Sequence, residues 1–464
     1  MPWLGLDCKP ETWLFSSWLL GCQDDAVLKL GAGGRLRATI TMDDLCFAPS
    51  LSVLVALSRN PKKVCGLWSV VCCLNLKLQP SLRYFYEDLM KANSMTEQMF
   101  PGDMVFPGRV LSGPGSLATF SRVAAALGRR GVVVYSRSVG RADILSHMMP
   151  NAFDEILSWR YAGGEPTLEQ VEDILQVARG HGAEWIAGVG GGSVLDCAKA
   201  AAGLLDAPGS VADYHAGREI DAHGVPFLAV PTTAGSGSEA TMVAVLSDPE
   251  KALKRSIRAP HFIARAAFLD GTVMRDLPRA QAAHSGMDAL VQAIESFCSR
   301  NHTRLTDQFA REALQLILEN LLPFCHDRTD EKAAHAMLMG SYLAGLALSG
   351  ARLGVVHGLA HPVGIHTGLG HGLVCAIALP HVLRFNRESD PARFAELDAC
   401  CGGSIDTCVA DMMAALDIPD HLSHAFPEDP EPMLNEILAS GSTAANPRAV
   451  SRDDALQLLR AMYK

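Results

Sequence analysis

The sequence predicts an α/β domain followed by an all-α domain. Three observations carry the prediction. Short apolar runs bounded by turn residues recur between about residues 105 and 275. An amphipathic helical pattern separates the first two of them, and strand-like runs stop after about residue 276.

The strand candidates are "GVVVYS" (131–136), "EWIAGVG" (184–190), "PFLAVPT" (226–232) and "AAFLD" (266–270), whose continuous apolar character marks buried parallel strands. Between the first two lies "PTLEQVEDILQVARGHG" (166–182). Thr167 and Gln170 have the spacing of a capping box, Leu168, Val171, Leu175 and Ala178 form one apolar face, and Gly180 and Gly182 are expected to end the helix. This βαβ alternation predicts an open sheet over residues 100–275. In the second half, residues 276–464, "LTDQFAREALQLILENLL" (305–322) reads as an amphipathic helix started by Thr306. "AMLMGSYLAGLALSGARLGVVHGLAH" (336–361) is apolar nearly all round and reads as a central buried helix. A cleft between the two halves is the natural ligand site.

Residues 1–94 break from this pattern. Six of the 13 cysteines and four of the six tryptophans fall there, and no ligand-binding motif does. "TWLFSSWLLGC" (12–22) ends like a lipoprotein cleavage site, but Asp7 and Glu11 offset Lys9, its one preceding basic side chain. The segment is expected to be a small appendage or a start assigned too early, and dispensable for catalysis. The net charge of −10 argues against nucleic acid or an anionic membrane as partner. No run approaches the ~18–20 unbroken apolar residues of a spanning helix. An odd, irregularly spaced cysteine set suggests free thiols and a cytoplasmic location.

Two glycine- and hydroxyl-rich turns follow strands. "GVGGGSVLDCAKA" (188–200) would let backbone amides approach an anion, with Ser193 capping the helix that follows; Lys199 is either a phosphate partner or a solvated helix residue. "PTTAGSGSEAT" (231–241) holds hydroxyls suited to phosphate, ribose and amide groups, and reads as a second strand-to-helix turn. On successive βα units, the pair favours a dinucleotide. In "SGMDALVQAIESF" (285–297), Asp288 and Gln292 share a helix face; Asp288 either caps that helix or points a carboxylate at a metal. "HGLAHPVGIHTGLGH" (357–371) holds four of the chain's 16 histidines, and Pro362 is expected to stop helix continuation past His361. A carboxylate with two or more clustered histidines fits a divalent-metal site.

From about residue 100 to its end, the chain resembles the iron-containing (group III) alcohol dehydrogenase family, in the superfamily with glycerol dehydrogenase and dehydroquinate synthase. The motifs "GGGSVLDCAK", "PTTAGSGSE", "GMDALVQAIESF" and "HGLAHPVG…HG…ALPHVLRFN" occur in the family's order. The resemblance implies the dehydroquinate synthase-like, iron-type alcohol dehydrogenase fold, with an N-terminal cofactor domain, a helical domain and a metal in the cleft. It implies NADP or NAD as cofactor and one divalent metal, Fe2+ or Zn2+. Gly191, Gly192, Ser193 and Asp196 would lie at the pyrophosphate, with Thr232, Thr233, Ser236 and Lys254 also on the cofactor side. Asp288, His357 and His371 would bind the metal, and His361 would stand near the nicotinamide as the candidate proton supplier.

The chain departs from the family's pattern at three places. Gln292 occupies the fourth ligand position, where it offers only a weak amide oxygen. Ser136 and Arg137 replace the aspartate that NAD-preferring relatives hold against the ribose, which favours the 2′-phosphate of NADP. Glu165 stands where relatives often have asparagine. The expected function is a metal-dependent, NAD(P)-linked alcohol dehydrogenase or aldehyde reductase. Its expected partners are a small carbonyl or alcohol and, as a homodimer, a second copy. The alternatives are a dehydroquinate synthase-like lyase or a degenerate cofactor-binding protein.

Overall fold

In the computed structural model the chain divides into two units, Met1–Glu97 and Gln98–Lys464. The structure describes residues 99–464 except 138–143, 149–154, 222 and 252. In the first unit it describes only four two-residue strands, pairing Trp13–Leu14 with Val27–Leu28 and Leu30–Gly31 with Arg35–Leu36. The remainder of the predicted 1–94 extension, including most of the leader-like stretch, lies outside the described residues.

In the second unit the apolar runs pair into one six-stranded sheet. Its strands are β1 (Val110–Ser112), β2 (Gly131–Tyr135), β3 (Ile156–Arg160), β4 (Trp185–Gly190), β5 (Phe227–Pro231) and, later in the chain, β8 (Ala266–Leu269). They run parallel in the order β1-β8-β5-β4-β2-β3. The four strands legible in the sequence are the four central ones, buried along nearly their whole length. The two edge strands escaped because their faces are partly solvated, so they carry no continuous apolar run. Between β5 and β8 an antiparallel hairpin, β6 (Val243–Asp248) and β7 (Leu253–Arg258), also went unpredicted. β6 alternates buried and half-buried positions, the signature of one covered face.

Helices cover both faces of the sheet. Val132 and Val134 pack with α3 (Leu168–His181) and α4 (Gly192–Leu204) on one side. Val133 packs with α1 (Phe120–Ala125) and α2 (Ile144–Met148) on the other. The capping box of Thr167 and Gln170 forms with both its hydrogen bonds, and Gly182 ends α3 in the left-handed region while Gly180 stays inside the helix. α5 (Val211–His215) completes this half. The second hydroxyl-rich turn does not open an α-helix as expected. Gly237 takes a left-handed φ of 59°, a single 3₁₀ turn (Ser238–Ala240) follows, and the chain extends into the hairpin.

The helical half comprises α6 (Arg279–Cys298), α7 (Arg304–His326), α8 (Glu331–Ala351), α9 (Val355–Thr367), α10 (His371–Asn386), α11 (Pro391–Cys400), α12 (Ile405–Ala415), α13 (Glu431–Ala439), α14 (Gly441–Ala445) and α15 (Arg452–Ala461). Their apolar faces meet in one core. Three expectations are corrected here. α7 is capped by Thr303, with Thr306 as the reciprocal partner in the box. The apolar run 336–361 is two helices, α8 and α9, bent by 107° where Arg352 adopts a φ of 65°. α9 also runs through Pro362 to Thr367, because the buried packing of Pro362 and Val363 outweighs the hydrogen bond that proline removes. Among the described residues no single helix is long and apolar enough to cross a membrane.

The two halves meet backbone to backbone. A Cβ at Gly345 of α8 would stand 2.7 Å from the Gly237 carbonyl oxygen, and Ser349 Oγ donates to the Ala240 carbonyl at 3.3 Å. Gly345→Ala is therefore expected to pry the second turn from α8 and lower stability by about 1–3 kcal/mol. A urea denaturation midpoint equal to that of the unmodified protein would refute this contact's importance.

Candidate metal and cofactor site

α6 is a buried helix that carries three polar side chains on one face: Asp288, Gln292 and Glu295. Asp288 sits near the middle of the helix, so it caps nothing. His357 reaches it from α9 and His371 from the first position of α10. His357 Nε2 lies 3.5 Å and His371 Nε2 3.7 Å from Asp288 Oδ1. Cys375, one turn further along α10, places Sγ 3.6 Å from His371 Nε2. One donor atom from each of Asp288, His357, His371 and Cys375 falls within 4.8 Å of all the others. Asp288 Oδ1 and His357 Nε2 are buried without a hydrogen-bond partner among the described residues, an expensive state unless a cation uses them. The residues present therefore fit a divalent metal.

Glu295 fixes the orientation of His357. One carboxylate oxygen accepts from His357 Nδ1 at 2.6 Å and the other from the Val356 amide at 2.7 Å. With Nδ1 so engaged, Nε2 is the nitrogen left to face a cation, an arrangement that recurs in metal sites. Burial alone would lower the basicity of His357, but the neighbouring Asp288 and Glu295 carboxylates outweigh it and push its pKa up to about 9. The Asp288 carboxyl, which burial would raise, is held below its usual range by His371 and His357.

Gln292 stands back from direct partnership with the histidines. Its amide nitrogen donates to Asp288 Oδ2 at 3.3 Å, and its oxygen has no partner among the described residues. His361 is half-buried beside His371, with ring centroids 5.3 Å apart, and falls outside the clustered donors. Burial, the Lys254 cation and the neighbouring histidines hold its pKa well below the ordinary value, so the ring is neutral near pH 7. Two residues of this pocket were missed in the sequence. Glu295 was legible as the third polar position, seven after Asp288, on an otherwise apolar helix face. Cys375 was legible only as the residue four after His371.

Most residues expected on the cofactor side lie at or just beyond the C-terminal ends of β2, β4 and β5, with Asp196 inside α4 and Lys254 on β7. The chain reverses its direction of strand addition between β2 and β4, the crevice where open α/β sheets take their ligands. Gly191 and Gly192 start α4, and Gly191 caps it without any side-chain bond; Ser193, expected as the cap, lies inside the helix. A Cβ at Gly192 would stand 2.5 Å from Ser236 Oγ, and one at Gly191 3.2 Å from Thr233 Oγ1, so the two turns touch. Thr232 continues the β4–β5 pairing through a 2.9 Å bond to the Gly190 carbonyl. Asp196 accepts from Ser238 Oγ at 2.5 Å and from the Val245 amide at 3.0 Å, which ties α4 to the second turn.

Lys199 fits neither role proposed for it in the sequence. It is fully buried, and its ammonium donates to the Ser238 and Val243 carbonyls at 2.7 and 2.6 Å and to Ser238 Oγ at 2.8 Å. Lys254 on β7 pairs with Glu165 at 2.7 Å, and its charge reaches His361 and His371. Ser136 follows β2 at the crevice, its amide bonded to the Val189 carbonyl, and Arg137 is exposed. Gly235 of the second turn packs on Ser285, one helical turn before Asp288, and so connects the cofactor turns to the metal pocket.

A glycine-rich strand-end crevice packed, through Gly235 and Ser285, against a buried cluster of metal-type donors fits a metal-dependent nicotinamide oxidoreductase. Family comparison makes the class specific. The model of the iron-containing alcohol dehydrogenase matches residues 107–271, and that of the Fe-containing alcohol dehydrogenase family's C-terminal region matches residues 282–463. The chain belongs to the iron-containing alcohol dehydrogenase family. It is 30% identical over 350 residues to the lactaldehyde reductase of Escherichia coli (strain K12), covering 71% of this chain and 91% of that one. An alcohol dehydrogenase from Oenococcus oeni superposes with a TM-score of 0.74 at 28% identity, covering 78% of this chain and all of the other. A sulfoacetaldehyde reductase from Bifidobacterium kashiwanohense, solved with NAD+, gives 0.73 at 25% identity over 78% of this chain and 98% of its own. The protein is an NAD(P)-linked alcohol dehydrogenase or aldehyde reductase that uses a divalent metal.

Replacing Glu295 by glutamine puts an amide opposite His357 Nδ1 while leaving an oxygen for the Val356 amide. Metal affinity is expected to fall about 10–100-fold with the fold retained. Chelator competition alongside circular dichroism checks this, and undiminished affinity would remove Glu295 from the metal's support.

Proposed function

We propose that the chain reduces a small aldehyde or ketone with NADPH, at a centre held by Asp288, His357 and His371. The observation that carries this reading is the cluster of buried, unpartnered donors reached directly from the cofactor turns through Gly235 and Ser285. The names of the relatives, reductases of lactaldehyde and sulfoacetaldehyde among them, support a small carbonyl as substrate. Free cysteines among the described residues support the cytoplasm as its location. No step is assigned to residues 1–94.

When bound, the divalent ion supplies Lewis acidity toward the carbonyl oxygen, and the nicotinamide supplies the hydride. The chain's own residues position and exclude. Gly191, Gly192 and Ser193 present the amino end of α4 to the pyrophosphate, and Thr232, Thr233 and Ser236 add hydroxyls beside it. Asp196, with both oxygens engaged, acts by holding the two turns together. Lys254, braced by Glu165, offers its charge on the cofactor side. Neutral His361 passes a proton onward, taking one from water at one ring nitrogen as it gives one from the other. A panel of short aldehydes and ketones, run with NADPH and NADH in parallel and with metal content assayed, tests the whole reading. A metal-replete sample that binds NADPH and turns over no carbonyl would overturn it.

Two further outcomes are specific. NADPH should be preferred to NADH by about 1–3 kcal/mol in catalytic efficiency, since no carboxylate at Ser136 repels the 2′-phosphate. Ser136→Asp should reverse the preference; equal efficiency with NADH in the unmodified protein would contradict the assignment. His361→Ala should keep its metal and lose about 10²–10⁴ in kcat. Loss of metal in that variant would make His361 a ligand instead.

A further inference from the structure

Gln292 leaves the metal pocket one strong donor short, yet the pocket contains another. Cys375 Sγ is wholly buried, 3.6 Å from His371 Nε2 and within 4.8 Å of the nearest donor atoms of Asp288 and His357. Three of the six donor separations are 3.5, 3.6 and 3.7 Å, within the range of a small tetrahedral cage, and all lie within 4.8 Å. With bonds of roughly 2.0–2.3 Å to nitrogen, oxygen and sulfur, a tetrahedron spaces its corners about 3.3–3.8 Å apart. The placement is also built. Cys375 lies one helical turn from His371 on α10, and Gly372 lets that helix close onto α6, where a Cβ would meet the His284 carbonyl at 2.3 Å. Gln292 meanwhile braces Asp288 through its amide nitrogen.

We propose that Cys375, as a thiolate, is the fourth protein ligand of the metal, and that the resulting set of two imidazoles, one carboxylate and one thiolate selects zinc over ferrous iron. The inference rests on the reading that a metal occupies this pocket. Thiolate is the softest donor a protein offers, and it shifts preference toward zinc among the divalent ions an imidazole–carboxylate site accepts. On binding, the S–H bond breaks, its proton leaves to water and a sulfur–metal bond forms, without any change of oxidation state. A cation with four protein donors still accommodates substrate by expanding to five-coordination.

The full-length protein, stripped of metal and reloaded with Co2+, gives a direct readout. Bound cobalt is seen in its visible d–d bands, and a cysteine ligand adds a thiolate-to-cobalt charge-transfer band in the near ultraviolet. The unmodified protein should show both. Cys375→Ser and Cys375→Ala should keep the visible bands and lose the near-ultraviolet one. In chelator competition the same variants should bind Zn2+ at least about 100-fold more weakly, beyond the usual cost of disturbing groups around a ligand. Their loss of Fe2+ affinity should be smaller. Visible bands without a charge-transfer band in the unmodified protein would overturn the ligand assignment while leaving the metal centre standing. So would a charge-transfer band that survives both substitutions. No cobalt bound at all, in protein that melts as the untreated sample does, would overturn the metal centre and Cys375 with it.

Discussion

The helical half is organised around one buried carboxylate. Glu295 cannot be sunk in an apolar core without partners, and its two oxygens find them in the Val356 amide and His357. The first bond, with the Asn386- and Val355-bonded Asn446, satisfies the start of α9. That is what allows the chain to leave α8, turn through 107° and begin a new helix inside the core. The second bond fixes the tautomer and direction of His357. Gly354 is required at the corner, since a Cβ there would stand 2.6 Å from Glu295 Oε1. Bend, cap and ligand orientation are thus one interaction, and the metal pocket inherits its shape from it.

Two buried charge clusters are handled in different ways. In the cofactor half, the Lys199 ammonium is paid for internally: carbonyls and hydroxyls surround it and Asp196 lies 3.6 Å away. Burial still pulls its basicity down, but its donors are occupied. In the helical half, Asp288 and His357 keep atoms without partners. A protein interior tolerates such atoms where function uses them. The contrast separates a structural charge cluster from a reactive one.

Much of this was legible in the chain itself, and what was missed had physical reasons. The central strands announce themselves because both faces are covered, whereas Val110–Ser112 and Ile156–Arg160 at the sheet edges mix apolar and polar residues. The bend after Ala351 was hidden because an apolar run reads the same in one helix as in two. It is set by Glu295 and Asn446, which are distant in sequence. Pro362 was read as a stop, but tertiary packing carried α9 through it. Asp288, His357 and His371 stood out as charged or titratable residues in apolar surroundings. Cys375 did not, because a cysteine between Val374 and Ala376 looks like one more small core residue. Lys199 looked solvated because its partners, Ser238 and Val243, belong to a turn whose path the local sequence did not reveal.

That lysine also bears on the cost of binding at the second turn. The second turn is held from below by Lys199 and Asp196, and from the side by Gly345, through bonds that lie within the protein. Ordering a loose loop costs about 1–2 kcal/mol per residue. Here that entropy is surrendered once, during folding, and is not charged again at each encounter with a dinucleotide. A dinucleotide bound there, as proposed, would meet a turn already ordered by the fold.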